Sequence, residues 1–359
     1  MSEIIFSITE IIFGIILLFI GGEFFVQGAI VLSLILGIPQ IVIGLTVVSL
    51  GTSSPELLVS LNSVFKNSDS LAASNVIGSN IFNILVVLGI SSIIKPLKVK
   101  SRIVRRDVPI LMAISCSVWA MSSTGLITWQ AGIFLLFCLL MNTFWEIITI
   151  NEKDEDFKIA EPEIDDKSKY EGKLNMLIKL FSGILLLSFG ANILVNGSKS
   201  LASLMGVNET IIGLTIVATG TSLPELVTSI IAALKGKTDL AIGNVIGSNL
   251  LNQLLILGSC SIFSGLEGLS ISQELINTDL PIMVLTTFAC LPIFWTKGKI
   301  TRIEGFILLN IYVFYILDKI FISTNFYFLN EYRISILVYS TFFAIILFMR
   351  NKLFPLKFN

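Results

Sequence analysis

Residues 44–89 and 213–258 are two copies of one segment. The first reads GLTVVSLGTSSPELLVSLNSVFKNSDSLAASNVIGSNIFNILVVLG and the second GLTIVATGTSLPELVTSIIAALKGKTDLAIGNVIGSNLLNQLLILG. At a constant offset of 169 residues and without gaps, 24 of the 46 aligned positions are identical. Both copies carry GTS-x-PE, at 51–56 and 220–225, and both carry NVIGSN, starting at Asn75 and Asn244. The match continues upstream, where Gly14, Gly21, Val26 and Gly28 fall on Gly183, Gly190, Val195 and Gly197. An internal duplication constrains the architecture before any single element is considered.

Each copy places a carboxylate beside a proline in the middle of an apolar stretch. The 359 residues are 54% hydrophobic and only 14% charged, a composition that belongs in a bilayer. Proline has no N–H, so a helix through Pro55 strips the carbonyl of Gly51 of its donor, and Pro224 does the same to Gly220. In lipid a bare carbonyl must be satisfied by protein, water or an ion. An acid at the bilayer centre costs ~2.5–3.5 kcal/mol or more, so Glu56 and Glu225 need a reason to be there. A Gly/Pro-interrupted segment repeated in both halves points to a transport site at the midplane.

The paired GTS-x-PE and NVIGSN elements resemble the two alpha-repeats of the sodium/calcium exchanger family, over roughly residues 10–320. The resemblance implies an all-α integral membrane protein with two inverted five-helix repeats, a ten-helix exchanger core. Eleven spans are predicted, at 5–34, 40–65, 71–94, 107–124, 127–150, 175–204, 209–234, 240–264, 277–296, 301–322 and 333–350. Residues 1–150 form the first repeat and 174–322 the second, joined by a charged linker at 151–173. Residues 323–359 add one extra C-terminal transmembrane helix and a basic tail, which depart from the ten-span pattern. The linker is too short for the calcium-sensing domains that larger relatives carry there, so that regulation is expected to be missing. Five spans separate corresponding motifs. The odd number makes the copies cross in opposite senses, with a pseudo-two-fold axis in the membrane plane.

Orientation follows from lysine and arginine. The loop at 95–106 holds six, and if it is cytoplasmic then 20 of the 24 basic residues lie on that side, all but Lys66, Lys199, Lys319 and Arg333. The N-terminus is then outside, and the linker and C-terminus are inside a plasma membrane. The long first and sixth spans carry matching glycines and are expected to slide or rock across a core of spans 2, 3, 7 and 8.

The candidate ligands are all oxygen. Asn75, Ser79 and Asn83 lie on one helical face at i, i+4 and i+8, repeated as Asn244, Ser248 and Asn252. Thr52, Ser53, Thr221 and Ser222 add hydroxyls, and backbone carbonyls near Ser49 and Ala218 complete the set. Hard neutral oxygens around two carboxylates suit Na⁺ and Ca²⁺ over zinc or copper. By resemblance, Glu56 and Glu225 match the family's two central acids. Thr52, Ser53, Thr221, Ser222, Ser79 and Ser248 match its hydroxyl ligands, and Asn83 and Asn252 its paired polar positions. Some relatives have an acid at the position of Asn252, in a branch that co-transports potassium, so asparagine here argues against potassium dependence. Asn75 and Asn244 are read first as interhelical hydrogen-bond glue, and Asn80 and Asn249 equally as glue or ligands. Glu23 has Asn192 as its counterpart and falls outside the symmetric set.

Two ionised glutamates neutralise one Ca²⁺ and leave one positive charge with three Na⁺. A three-for-one cycle, which the resemblance implies, would move one charge, worth ~2.3 kcal/mol per 100 mV. The chain has no histidine, which removes an imidazole proton relay and most zinc sites. Cys116, Cys138, Cys260 and Cys290 stand singly in apolar stretches and read as reduced. The net charge of −1 offers no nucleic-acid footprint, and no nucleophile–base pair suggests an enzyme. A monomer in the lipid bilayer with no organic cofactor is expected. The alternatives are a proton-coupled calcium or cation antiporter on the same fold, and a non-transporting cation sensor.

Overall fold

In the computed structural model, residues 2–149, 172–207, 216, 218–295 and 298–323 are described. The helices are α1 (Ser2–Leu36), α2 (Gln40–Thr52), α3 (Ser54–Phe65), α4 (Asp69–Ile94), α5 (Val108–Ser122) and α6 (Trp129–Thr149). They continue as α7 (Lys173–Leu204), α8 (Ala218–Gly220), α9 (Leu223–Leu234), α10 (Thr238–Phe263), α11 (Leu275–Trp295) and α12 (Arg302–Ser323). Among the described residues, seven helices are long and apolar enough to cross a membrane, or eight if α2 and α3, bent by 45°, make one span. The expected eleventh span, most of the linker, the C-terminal tail and the first turns of the seventh span lie outside the described residues.

Burial separates an inner from an outer set of helices. The most apolar 18-residue windows of α4 and α10 are 78% and 89% buried, whereas those of α1, α6 and α12 are 22%, 17% and 11%. The duplicated NVIGSN helices are thus the centre of the molecule. The outer helices turn residues such as Phe6, Ile12, Phe137 and Phe306 outward, the surface a bilayer requires.

Glycine sets two backbone-to-backbone crossings. The antiparallel pair α1 and α7 meets at Gly14, Gly21, Gly183 and Gly190, where an added Cβ would fall 2.7–2.8 Å from backbone of the opposite helix. On α10, a Cβ at Gly243 would lie 2.7 Å from the Ile41 carbonyl, and one at Gly247 2.6 Å from that of Leu45. Small residues at these positions let transmembrane helices approach at backbone distance.

Two short antiparallel ladders tie the halves together. β1 (Leu97–Lys98) pairs with β4 (Lys299–Ile300), and β2 (Leu126–Ile127) with β3 (Leu269–Ser270). α5 and the π-type turn Ile103–Asp107 before it separate β1 from β2, and 20 helical residues rise about 30 Å. The ladders therefore lie at opposite ends of the bundle. At the β1/β4 end, Lys100 pairs with Asp239 at 2.9 Å, so the loop after α9 joins the two basic loops there. At the same end Arg102 and Arg106 hold the buried Glu146 of α6. At the far end Lys319 of α12 holds Asp279 of α11 at 2.6 Å, and the Tyr315 hydroxyl donates to the same carboxylate at 2.7 Å.

Candidate functional site

The chain breaks at Ser53 (φ −82°, ψ 5°) and at Ser222 (φ −90°, ψ 8°) rather than running helically through the prolines. Pro55 and Pro224 each sit in the first turn of a new helix, where an N–H has no intrahelical acceptor anyway. Two consequences follow for charge. The carbonyl ends of α2 and α8 stop at the breaks, where they favour cations, and the amide ends of α3 and α9 begin there, where they favour carboxylates. Glu56 and Glu225 occupy those first turns and are both 0% exposed.

The two copies are interlocked. Ser53 Oγ donates to Glu225 Oε1 at 2.9 Å, and Ser222 Oγ donates to Glu56 Oε1 at 3.0 Å. Thr52 Oγ1 donates to Asn244 Oδ1 at 3.1 Å, and Thr221 Oγ1 to Asn75 Oδ1 at 3.2 Å. Every bond has its counterpart 169 residues on, and in each the hydroxyl of one copy serves the acid or amide of the other. Asn75 and Thr221 are half-buried, while Asn244 and Thr52 are fully buried.

Among the buried polar atoms without a partner, one set repeats at the 169-residue offset. Glu56 Oε2 and Glu225 Oε2, Ser79 Oγ and Ser248 Oγ, and both side-chain atoms of Asn83 and Asn252 are buried with no protein hydrogen bond. Such atoms cost ~1–3 kcal/mol each, more when charged, so a donor or cation is expected among them. The wide π-type turns Asn83–Val87 and Asn252–Leu257 begin at those two asparagines, an irregularity common at functional positions. The Ser49 carbonyl is not bare. It accepts from the Ser53 N–H at 2.9 Å and lies 3.3 Å from Thr52 Oγ1. In the second copy the Ser222 N–H goes to the Thr219 carbonyl at 3.2 Å, and Ala218 begins the short helix α8. Among the described residues no group of three or more His, Cys, Asp and Glu side chains comes together. Among the described residues, the charge that the centre offers a cation is that of its two glutamates.

Asn75 and Asn244 turn out to be fasteners. The Asn75 amide donates to Ser60 Oγ and the Asn244 amide to Ser229 Oγ, both at 3.0 Å. Each thus ties α4 or α10 to the glutamate helix of its own copy while accepting from the threonine of the other. Asn80 and Asn249 split from the main face. Asn249 donates to the Asn80 carbonyl at 3.3 Å, and Gln253 donates to Asn80 Oδ1 at 3.2 Å. Ser60, Ser229 and Gln253 were not visible as candidates from sequence. The serines match at the repeat offset, a signal that could have found them; Gln253 faces Ile84 in the alignment and has none.

The sequence profile described as sodium/calcium exchanger protein matches residues 6–147 and 176–321. The chain belongs to the sodium/calcium exchanger family. It is 34% identical to the putative antiporter CaxA of Alkalimonas amylolytica, over 85% of this chain and 96% of that protein. It is 31% identical to the sodium/calcium exchanger MaX1 of Methanosarcina acetivorans, over 87% of this chain and 98% of the relative. Among solved structures it resembles the sodium-calcium exchanger NCX_Mj soaked with 10 mM Na⁺ and 10 mM Sr²⁺, with a TM-score of 0.74 and 29% identity. That match covers 88% of this chain and 98% of the other. As a member of the exchanger family the protein is a multi-pass membrane antiporter and not an enzyme.

If the centre between Glu56 and Glu225 binds Ca²⁺, Asn244→Ala is expected to raise the half-saturating Ca²⁺ concentration about tenfold, from the loss of one or two hydrogen bonds of ~1 kcal/mol. Isothermal calorimetry on the purified protein checks it. An effect as large as removing a glutamate charge would make Asn244 a direct ligand instead.

Proposed function

We propose that the protein exchanges Na⁺ for Ca²⁺ by alternating access at a midplane site centred on Glu56 and Glu225. The observation that carries this reading is the two-fold set of buried oxygens without partners: Glu56 and Glu225 Oε2, Ser79 and Ser248 Oγ, and Asn83 and Asn252 Oδ1. Oxygens of this kind suit hard cations. The hydroxyls of Thr52, Ser53, Thr221 and Ser222, with carbonyls at Ser49 and Ala218, surround them as secondary ligands or as supports that aim the acids. Two carboxylates balance one Ca²⁺ and leave a single positive charge with three Na⁺, so the cycle carries current.

The ten-helix arrangement of two inverted repeats is favoured by the reciprocity of the bonds and by the ladders at both ends. The gathering of basic loops at the β1/β4 end favours a cytoplasmic position for that end in a plasma membrane, with the N-terminus outside. The working unit on this reading is a monomer in lipid that needs no organic cofactor.

The test is flux. In vesicles loaded with Na⁺, Ca²⁺ uptake is expected to follow an outward Na⁺ gradient and to stop when that gradient is collapsed with an ionophore. A proton-coupled reading has one observation in its favour, since the unpartnered Oε2 of each buried acid is a place for a proton. Uptake driven by a pH gradient without sodium would replace the first reading by the second.

A further inference from the structure

A polar contact joins α1 to the core away from Glu56 and Glu225. Glu23 Oε1 on α1 receives Lys235 Nζ, at the end of α9, at 2.6 Å. It also receives the amide of Gln27 at 2.6 Å, and Lys179 of α7 donates to Gln27 Oε1 at 2.9 Å. Around this chain of contacts the packing is apolar and close. A Cβ at Gly22 would lie 2.6 Å from Ile231 and 3.0 Å from Val227, both on α9. Beside the ion pair is an open groove of about 570 Å³ lined by Phe19, Phe24, Ile231 and Leu234. The space lies between the two elements that must shift if α1 and α7 move against the core.

We infer that Glu23 and Lys235 are positioning residues for the transport cycle, forming an ion-pair latch that holds the β1/β4 end closed. This rests on the exchange proposed above. Lys235 belongs to that end, because a Cβ on the next residue, Gly236, would lie 3.2 Å from Lys95 Nζ, and Asp239 pairs with Lys100. The half-buried flank of the site, where Thr221 meets Asn75, faces the other end: Asn75 lies within two turns of the start of α4, whose Asp69 accepts from the Ser270 N–H of β3. The latch therefore favours the conformer that loads from the β2/β3 end. When α1 and α7 slide together, the Gln27–Lys179 contact travels with them and the Glu23–Lys235 contact breaks. Both latch side chains are partly exposed, at 40% and 31%, so the bias is modest and adjustable.

Three variants test the latch: Glu23→Gln, Lys235→Gln, and the exchange of Glu23→Lys with Lys235→Glu. Half-saturating Ca²⁺ is measured separately at the two faces of oriented proteoliposomes. Each single variant is expected to shift the two values in opposite directions by about 1.5–5-fold, loading at the β1/β4 face becoming easier. The charge exchange is expected to return both values toward wild type. Raising ionic strength with choline chloride should shrink the difference, as it does for exposed pairs. Equal shifts at both faces, or none, would overturn the latch while leaving exchange intact. Spin labels at Ile16→Cys and Leu234→Cys, in a background without the native cysteines, follow the α1–α9 separation without any transport. The separation should widen in the single variants and recover in the exchange; an unchanged separation also overturns the latch. Failure of Na⁺-driven uptake in the wild type would instead strike the proposed function alone.

Discussion

Glu56→Gln and Glu225→Gln are each expected to cut Ca²⁺ exchange by at least about a hundredfold, since removing one partner of a buried charge constellation costs ~3–5 kcal/mol. The substitution is a clean one here. Glutamine keeps the oxygen that accepts the Ser222 or Ser53 proton, at 3.0 and 2.9 Å in the wild type, so the contact between copies survives. What goes is the charge, and with it the unpartnered Oε2, replaced by an NH2 that cannot bind a cation. The site then holds one carboxylate against a divalent ion in a low-dielectric interior, and among the described residues no other charge is at hand to compensate. Exchange measured in vesicles, together with a melting curve to show that the fold persists, checks both variants. Normal exchange in either would break the assignment of the site.

Gly247→Val should damage both the fold and the site. Its Cβ would lie 2.6 Å from the Leu45 carbonyl, 2.7 Å from the Leu45 Cα and 2.7 Å from Ser49 Oγ. Neither backbone contact can rotate away, so α2 must be pushed off α10. Overpacking a close contact costs ~1–3 kcal/mol, and a branched side chain belongs at the upper end. Because α2 delivers Thr52 and Ser53, Ca²⁺ affinity should fall along with stability. Gly247→Ala should show the same two effects at smaller size. Thermal unfolding in detergent, followed by fluorescence-detected size exclusion, reads the first effect, and calorimetry the second. Loss of affinity with an unchanged melting point would point to a different role for Gly247.

How far the sequence could be read depended on whether a feature repeats. The span expected at 71–94 is found as Asp69–Ile94 and that at 301–322 as Arg302–Ser323, because long apolar runs with basic or polar ends mark their own limits. The break beside each glutamate was legible from proline, but its form was not. A proline inside a helix and one opening a new helix look alike in sequence, and the conformation of Ser53 decides between them. The pairing of Ser53 with Glu225 joins residues 172 apart and could be anticipated only as proximity. The donor roles of Asn75 and Asn244 depend on where a neighbouring helix sets its serine, which no local pattern encodes. Glu23 has no acidic counterpart in the second copy to mark it. Its partner lies 212 residues away, and a contact at that separation is a property of the packed chain.

The reciprocal hydroxyl–carboxylate bonds bear on how such a gene can change. Ser53 serves an acid in the other copy, so a substitution in one half is felt first by its twin. Either half expressed alone would present an acid with no hydroxyl to orient it. The tandem halves are thus bound to drift in concert near the breaks, while outer surfaces such as those of α6 and α12 answer only to the lipid around them.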